Sequence, residues 1–203
     1  MTNSKLDEIL TRLRATQQEL ELEVDRMLAS KREEFNYRFH RGKVVFEQGI
    51  QRWQREHRTG IWLYLRKAPL GHILSAPLIY GMIVPMLILD GSITVYQQIC
   101  FRIYRIPRVV RQDYLVIDRN HLAYLNAIEK FNCVYCGYGN GLLEYTREIV
   151  ARTEQYWCPI KHARRTLDAH SRAQKFFDYG DSRAWHEDLQ KMRKSLADES
   201  RDV

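Results

Sequence analysis

The chain carries no glycine-rich phosphate loop, no Ser-His-Asp arrangement and no nucleophile elbow, so the common nucleotide-dependent and hydrolytic chemistries have no motif here. No nucleic-acid-binding motif is present either, and the acidic residues are interspersed among the basic ones. The first residues, MTNSKLDEIL, are polar and lead into a long charged region, so no signal peptide is expected. Cysteine is scarce, with four residues in 203, and Cys100 stands apart from the other three. Long runs without charge are scarcer still. Residues 68–89, APLGHILSAPLIYGMIVPMLIL, form the one such run, 22 residues without a formal charge.

That run is what the rest of the chain is organised around. At 1.5 Å per helical residue it reaches ~33 Å, enough to cross a hydrocarbon core of ~30 Å. Mean hydropathy over the whole chain is −0.48, so the apolar character is concentrated there. Pro77 and Pro85 interrupt it, and Asp90-Gly91 after it is a turn signal. Residues 92–101 are a weaker apolar arm, diluted by Ser92, Thr94, Gln97 and Gln98. Arginines and lysines flank both sides: Arg52, Arg55, Arg58, Arg66 and Lys67 before, Arg102, Arg105, Arg108 and Arg111 after. Basic residues mark the cytoplasmic side, so basic flanks at both ends favour a proline-containing hairpin over 68–106 with both ends in the cytoplasm. A single span, or a buried helix of a soluble domain, is the alternative. The net charge of +7 suits an anionic membrane surface; membrane lipid is the expected partner and nucleic acid is not.

Before the hairpin, residues 1–67 read as helical. Leu6, Leu10, Leu13, Gln17, Leu20, Val24 and Met27 alternate spacings of four and three, a coiled-coil-like seam that Lys31 ends. A homo-oligomer through residues 6–27 is one use of such a face; packing within the fold is the other. Residues 35–64 mix aromatic and basic side chains with Gly42, Gly49 and Gly60, and read as broken helix along the membrane interface.

After the hairpin, residues 107–203 read as a helical cytoplasmic domain. Asp118 is a candidate N-cap for a helix over 119–130, and residues 142–156 and 159–178 are further helices. His170 and His186 read as solvent-facing, and Asp181 or Ser182 caps a last helix. Between these lies the chemistry-bearing pattern: Cys133, Cys136, Cys158 and His162, spaced C-x2-C-x21-C-x3-H. Three cysteines near a histidine suggest metal or redox chemistry before a disulfide framework. Tetrahedral zinc accepts Cys3His, and glycines 137, 139 and 141 would let a knuckle turn its amides toward the thiolates. Pro159 would start a helix with Cys158 as its N-cap, lowering the thiol pKa. Zinc is the expected metal, with iron or an iron–sulfur cluster as a variant. A C-x2-C redox couple and metal-free structural cysteines are the competing readings.

The run RTEQYWCPIKHARR, with the preceding CVYCGYGNG, resembles a signature of bacterial membrane-associated proteins, over about residues 70–165. The resemblance implies a bacterial origin and a shared site, and implies no activity. The expectation is therefore a mainly α, membrane-anchored protein with a cysteine-rich knuckle, at the cytoplasmic face of a bacterial inner membrane. Its metal site would be structural and its role that of a scaffold or interaction module. The alternative is a membrane-associated redox or metal-dependent enzyme using Cys133, Cys136, Cys158 and His162.

Overall fold

The computed structural model describes residues 2–35, 37–40, 43–46, 48–164, 166, 167 and 169–199, with side chains placed for 8, 9, 11–35 and those from 50 onward. The chain is mainly helical and divides into two compact units, Met1–Gly60 with Asn120–Asn126, and Ile61–Arg119 with Ala127–Val203.

In the first unit, the coiled-coil-like pattern forms α1 (Thr2–Glu34). Broken helix is the expectation for 35–64, but the structure has a hairpin there. Strands β1 (Tyr37–His40) and β2 (Lys43–Phe46) pair antiparallel, with Tyr37 opposite Phe46 and His40 opposite Lys43. The alternation in YRFH follows the period of two that a strand requires, and the two valines of KVVF favour a strand by propensity. Helix α2 (Gln48–Glu56) follows. Its buried Gln54 accepts a hydrogen bond from the Ala123 backbone at 3.1 Å, which holds residues 120–126 to it.

The second unit begins with α3 (Ile61–Lys67) and then corrects the hairpin expectation. Helices α4 (Leu70–Gly81), α5 (Ile83–Tyr96), a π-helical turn (Gln97–Phe101) and α6 (Arg102–Tyr104) run on without reversal. Together Leu70–Tyr104 make one helix of 35 residues, long and apolar enough to cross a membrane, and none of its most apolar window is buried. The prolines bend nothing back. Pro77 sits within α4, while the only interruption, at Met82, lies just ahead of Pro85. The proline ring would strike the carbonyl four residues earlier, that of Gly81, and the helix breaks there instead. Asp90-Gly91 stays helical because Asp90 is held in place: Arg111 Nη2 reaches its Oδ2 at 2.6 Å and the Tyr138 hydroxyl donates to it at 3.0 Å.

The helix has two faces. Leu74, Leu78, Val84, Ile88, Val95, Ile99 and Ile103 point outward and are exposed. Asp90, Thr94, Gln97 and Phe101 point inward. Of the polar residues that weaken the second arm in the sequence, Thr94 and Gln97 are thus protein-facing, while Ser92 is exposed. Gln97 is buried in the π-helical turn; its amide donates to the Tyr145 hydroxyl at 2.6 Å and accepts from the Val109 backbone at 2.8 Å.

What faces them is α7 (Ala127–Trp157), which runs in the same direction. Tyr80 meets Asn132 at 2.5 Å, Asp90 meets Tyr138 at 3.0 Å and Gln97 meets Tyr145 at 2.6 Å, in the same order along both helices. Between them the chain returns through a 3₁₀ turn (Arg111–Asp113) and residues 115–118, which carry no regular secondary structure. Phe101, Ile106, Val109, Leu142, Tyr145, Ile149 and Leu196 form the core at this junction. Residues 119–130 are not the expected helix: a 3₁₀ turn (Arg119–His121) precedes α7, which starts at Ala127.

Beyond α7, residues 159–178 are not the expected helix either. The described residues of this stretch form an irregular loop with one 3₁₀ turn (Ser171–Lys175), closed where Phe177 pairs with residues 159–161 through bonds of 2.7 and 2.8 Å. Helix α8 (Ser182–Asp198) matches expectation, with Asp181 as N-cap accepting from Ala184 at 2.9 Å. Gly180 before it takes φ +89, a conformation that L side chains rarely adopt.

Candidate functional site

The structure separates the residues expected to form a metal site. Cys133 and Cys136 lie on α7, one turn apart. Cys158 follows the last residue of the same helix, and His162 lies four residues further on in the loop. A straight helix puts ~33 Å between Cys136 and Cys158 at 1.5 Å per residue, so no single ion reaches both arms. Among the described residues no group of three or more His, Cys, Asp or Glu side chains is placed to hold a metal, and all four cysteines are free. The knuckle expectation is corrected with it.

The reason lies in the three glycines. They do not loop: Gly137 and Gly141, four residues apart, thin the face of α7 against which residues 114–116 lie, and Gly139 faces Met86. A Cβ on Gly141 would stand 2.5 Å from the Tyr114 carbonyl oxygen, and one on Gly139 would stand 3.3 Å from Met86 Cε. The glycines are legible in the sequence as a cluster, but spacing alone does not tell a loop from a packing face.

Cys158 also departs from expectation. No helix begins at Pro159, so the thiol sits at the carbonyl end of α7 rather than at an amide end. Desolvation by its surroundings, and then the Glu154 carboxylate, push its pKa up, although the residue as a whole is exposed.

What the structure does assemble is a basic groove beside this loop. Its volume is about 540 Å³, and Arg147 and Glu154 of α7 face Lys161, His162, Arg164 and His170 of the loop across it. His170, expected on the surface, is instead half-buried: its Nε2 lies 2.9 Å from Glu154 Oε2, and its ring packs edge-on against Phe176. Its Nδ1 is buried without a partner in the structure. Lys161 is tied to Asp178 at 2.7 Å, and Arg147 lies 3.7 Å from Glu144. The groove therefore offers positive charge and a histidine–carboxylate pair, with His162 the one residue of the expected site that lines it.

Below the groove, Arg172 ties α7, the loop and α8 together. Its guanidinium reaches Glu148 at 2.8 Å, Gln155 at 2.8 Å and Glu199 at 3.0 Å. Arg152 adds a second bond to Glu148 at 2.8 Å and one to the Pro107 carbonyl at 2.8 Å. Burial alone would raise the Glu148 pKa, but hydrogen bonds from Arg152 and Arg172 outweigh it and hold the carboxyl below its usual range. Glu199 is lowered the same way, burial being outweighed by Lys175 and Arg172. Arg172 carries no signal in the sequence, because its loop reads as helix.

No family profile matches the chain, and no curated protein or solved structure matches it.

Proposed function

We propose that the protein is a scaffold or interaction module held at the cytoplasmic face of a bacterial inner membrane by the outward face of Leu70–Tyr104. One observation carries the reading: a 35-residue apolar helix whose most apolar window is wholly unburied. Exposed apolar surface of that extent marks a membrane or protein interface, and the arginines beside it favour the membrane.

The helix lies in the bilayer surface with its apolar face down rather than crossing upright. Its length, ~52 Å at 1.5 Å per residue, exceeds a hydrocarbon core of ~30 Å. Its inner face is packed against α7 and the returning chain, and that side carries the Asp90–Arg111 ion pair. An upright helix would take that pair, with the non-helical backbone of the returning chain, into hydrocarbon. Lying flat, the outward side chains are buried among acyl chains while Arg102, Arg105 and Arg108 meet headgroups. Basic flanks on both sides of the run then follow without a crossing. The cysteine metal site is no part of this reading, since its four residues are spread along and beyond α7.

Membrane fractionation tests it. The wild-type chain is expected in the membrane pellet and resistant to high salt, and Ile88→Lys with Val95→Lys is expected to move it to the soluble fraction. Reporter tags at both termini are expected on the cytoplasmic side. A soluble wild-type chain, or a C-terminal tag on the far side, overturns the reading.

A further inference from the structure

The long first helix leaves its apolar face uncovered. Every described side chain of α1, residues 8, 9 and 11–34, is exposed, and the seam is open along its length: Leu13, Leu20, Val24 and Met27 are between 39% and 62% exposed. Helices in water draw most of their stability from packing an apolar face. Charged residues crowd the other positions of α1 too densely for lipid to be the cover. We infer that α1 pairs with the α1 of a second copy as a parallel, in-register, two-stranded coiled coil over residues 6–27.

Three features of the seam select that occupant. The repeat is of seven residues, with Leu6, Leu13, Leu20 and Met27 at one core position and Leu10, Gln17 and Val24 at the other. Leucine at the first set and a β-branched residue in the second favour two parallel strands. Gln17 then fixes the partner. In a parallel pair in register each core residue meets its own copy, so the two Gln17 amides face each other and bond across the seam. An antiparallel copy, or the apolar groove of another protein, sets Gln17 against leucine or its like and buries the amide unsatisfied. Its present bond, to Glu21 on its own helix, is long at 3.5 Å and is easily exchanged. Lys31 falls on the next core position, where two copies would place like charges together, and α1 ends three residues later. The paired length, Leu6 to Met27, is ~32 Å, about three heptads.

The test uses the full chain in detergent, and its outcome does not depend on how Leu70–Tyr104 meets a bilayer. Met27→Cys is expected to form a covalent dimer under mild oxidation well beyond that of the parent chain, whose four native cysteines serve as background. Leu22→Cys, on the opposite side of α1, is expected to match the parent. Leu20→Glu is expected to weaken dimerisation at least 100-fold by sedimentation while leaving the helical circular dichroism of the rest intact. Equal cross-linking of the Met27 and Leu22 variants overturns the parallel register, and a monomeric parent, or a dimer indifferent to Leu20→Glu, overturns the pairing altogether.

Discussion

At the scale of single residues, the glycines of α7 decide more than the cysteines beside them. A methyl group on Gly141 meets backbone, the Tyr114 carbonyl and Leu115 Cα, neither of which has room to give. Gly141→Ala is therefore expected to cost about 2–3 kcal/mol by forced displacement of packed chain, seen as a lower melting temperature. Gly137→Ala meets only an ordinary contact of 3.5 Å and gains helix propensity, so its melting temperature should hold or rise. Equal losses for both would refute the packing role. Cys158 gives a second residue-level expectation. With its pKa raised, it should alkylate more slowly than a free cysteine at pH 7.5, and Glu154→Gln should speed it. An alkylation rate above that of the free thiol would restore the activated-thiolate reading.

At the scale of elements, Arg172 joins α7, the 3₁₀ turn and the end of α8 through partly buried carboxylates, its own side chain being 11% exposed. Arg172→Ala should cost about 2–3 kcal/mol, since it strands Glu148 and Glu199 without their shared cation. Arg172→Lys should not restore it, because a point charge cannot reach three acceptors. The pH dependence has a definite sign. Glu148 and Glu199 are lowered on folding, so their contribution is present above the ordinary glutamate value of about 4.3 and is lost as pH falls through the folded values. The gap in stability between wild type and Arg172→Ala should therefore close in acid, below about pH 4. Chelators bear on the same unit. With the sulfur arms at opposite ends of α7, a strong chelator should leave its thermal unfolding unchanged; a lowered melting temperature would mean that the arms meet in a form other than this one.

These elements differ in how far the sequence reveals them. Periodicity marks α1, the apolar run and α8, because each buries or bares one face along its whole length. It fails where a residue's usual preference is overruled by a partner far along the chain. Asp90-Gly91 reads as a turn until Arg111 and Tyr138 hold the carboxylate. Gln97 reads as dilution of an apolar arm until Tyr145 and Val109 satisfy it. Cys133 and Cys136 read as a knuckle until Tyr114 and Leu115 are seen to need the glycines that follow.

At the scale of the whole molecule, the parallel run of Leu70–Tyr104 and α7 has a consequence in time. The apolar helix is made first, and the partner of its buried Gln97 lies 48 residues downstream at Tyr145. At 5–20 residues per second that separation is about 2–10 s of synthesis. For that interval the nascent chain offers its most apolar segment with no protein to cover either face. A ribosome-bound chain in this state should be recognised by targeting and chaperone machinery while translation is still under way, and on the proposed membrane attachment its delivery would be settled before α7 exists to compete for the same surface.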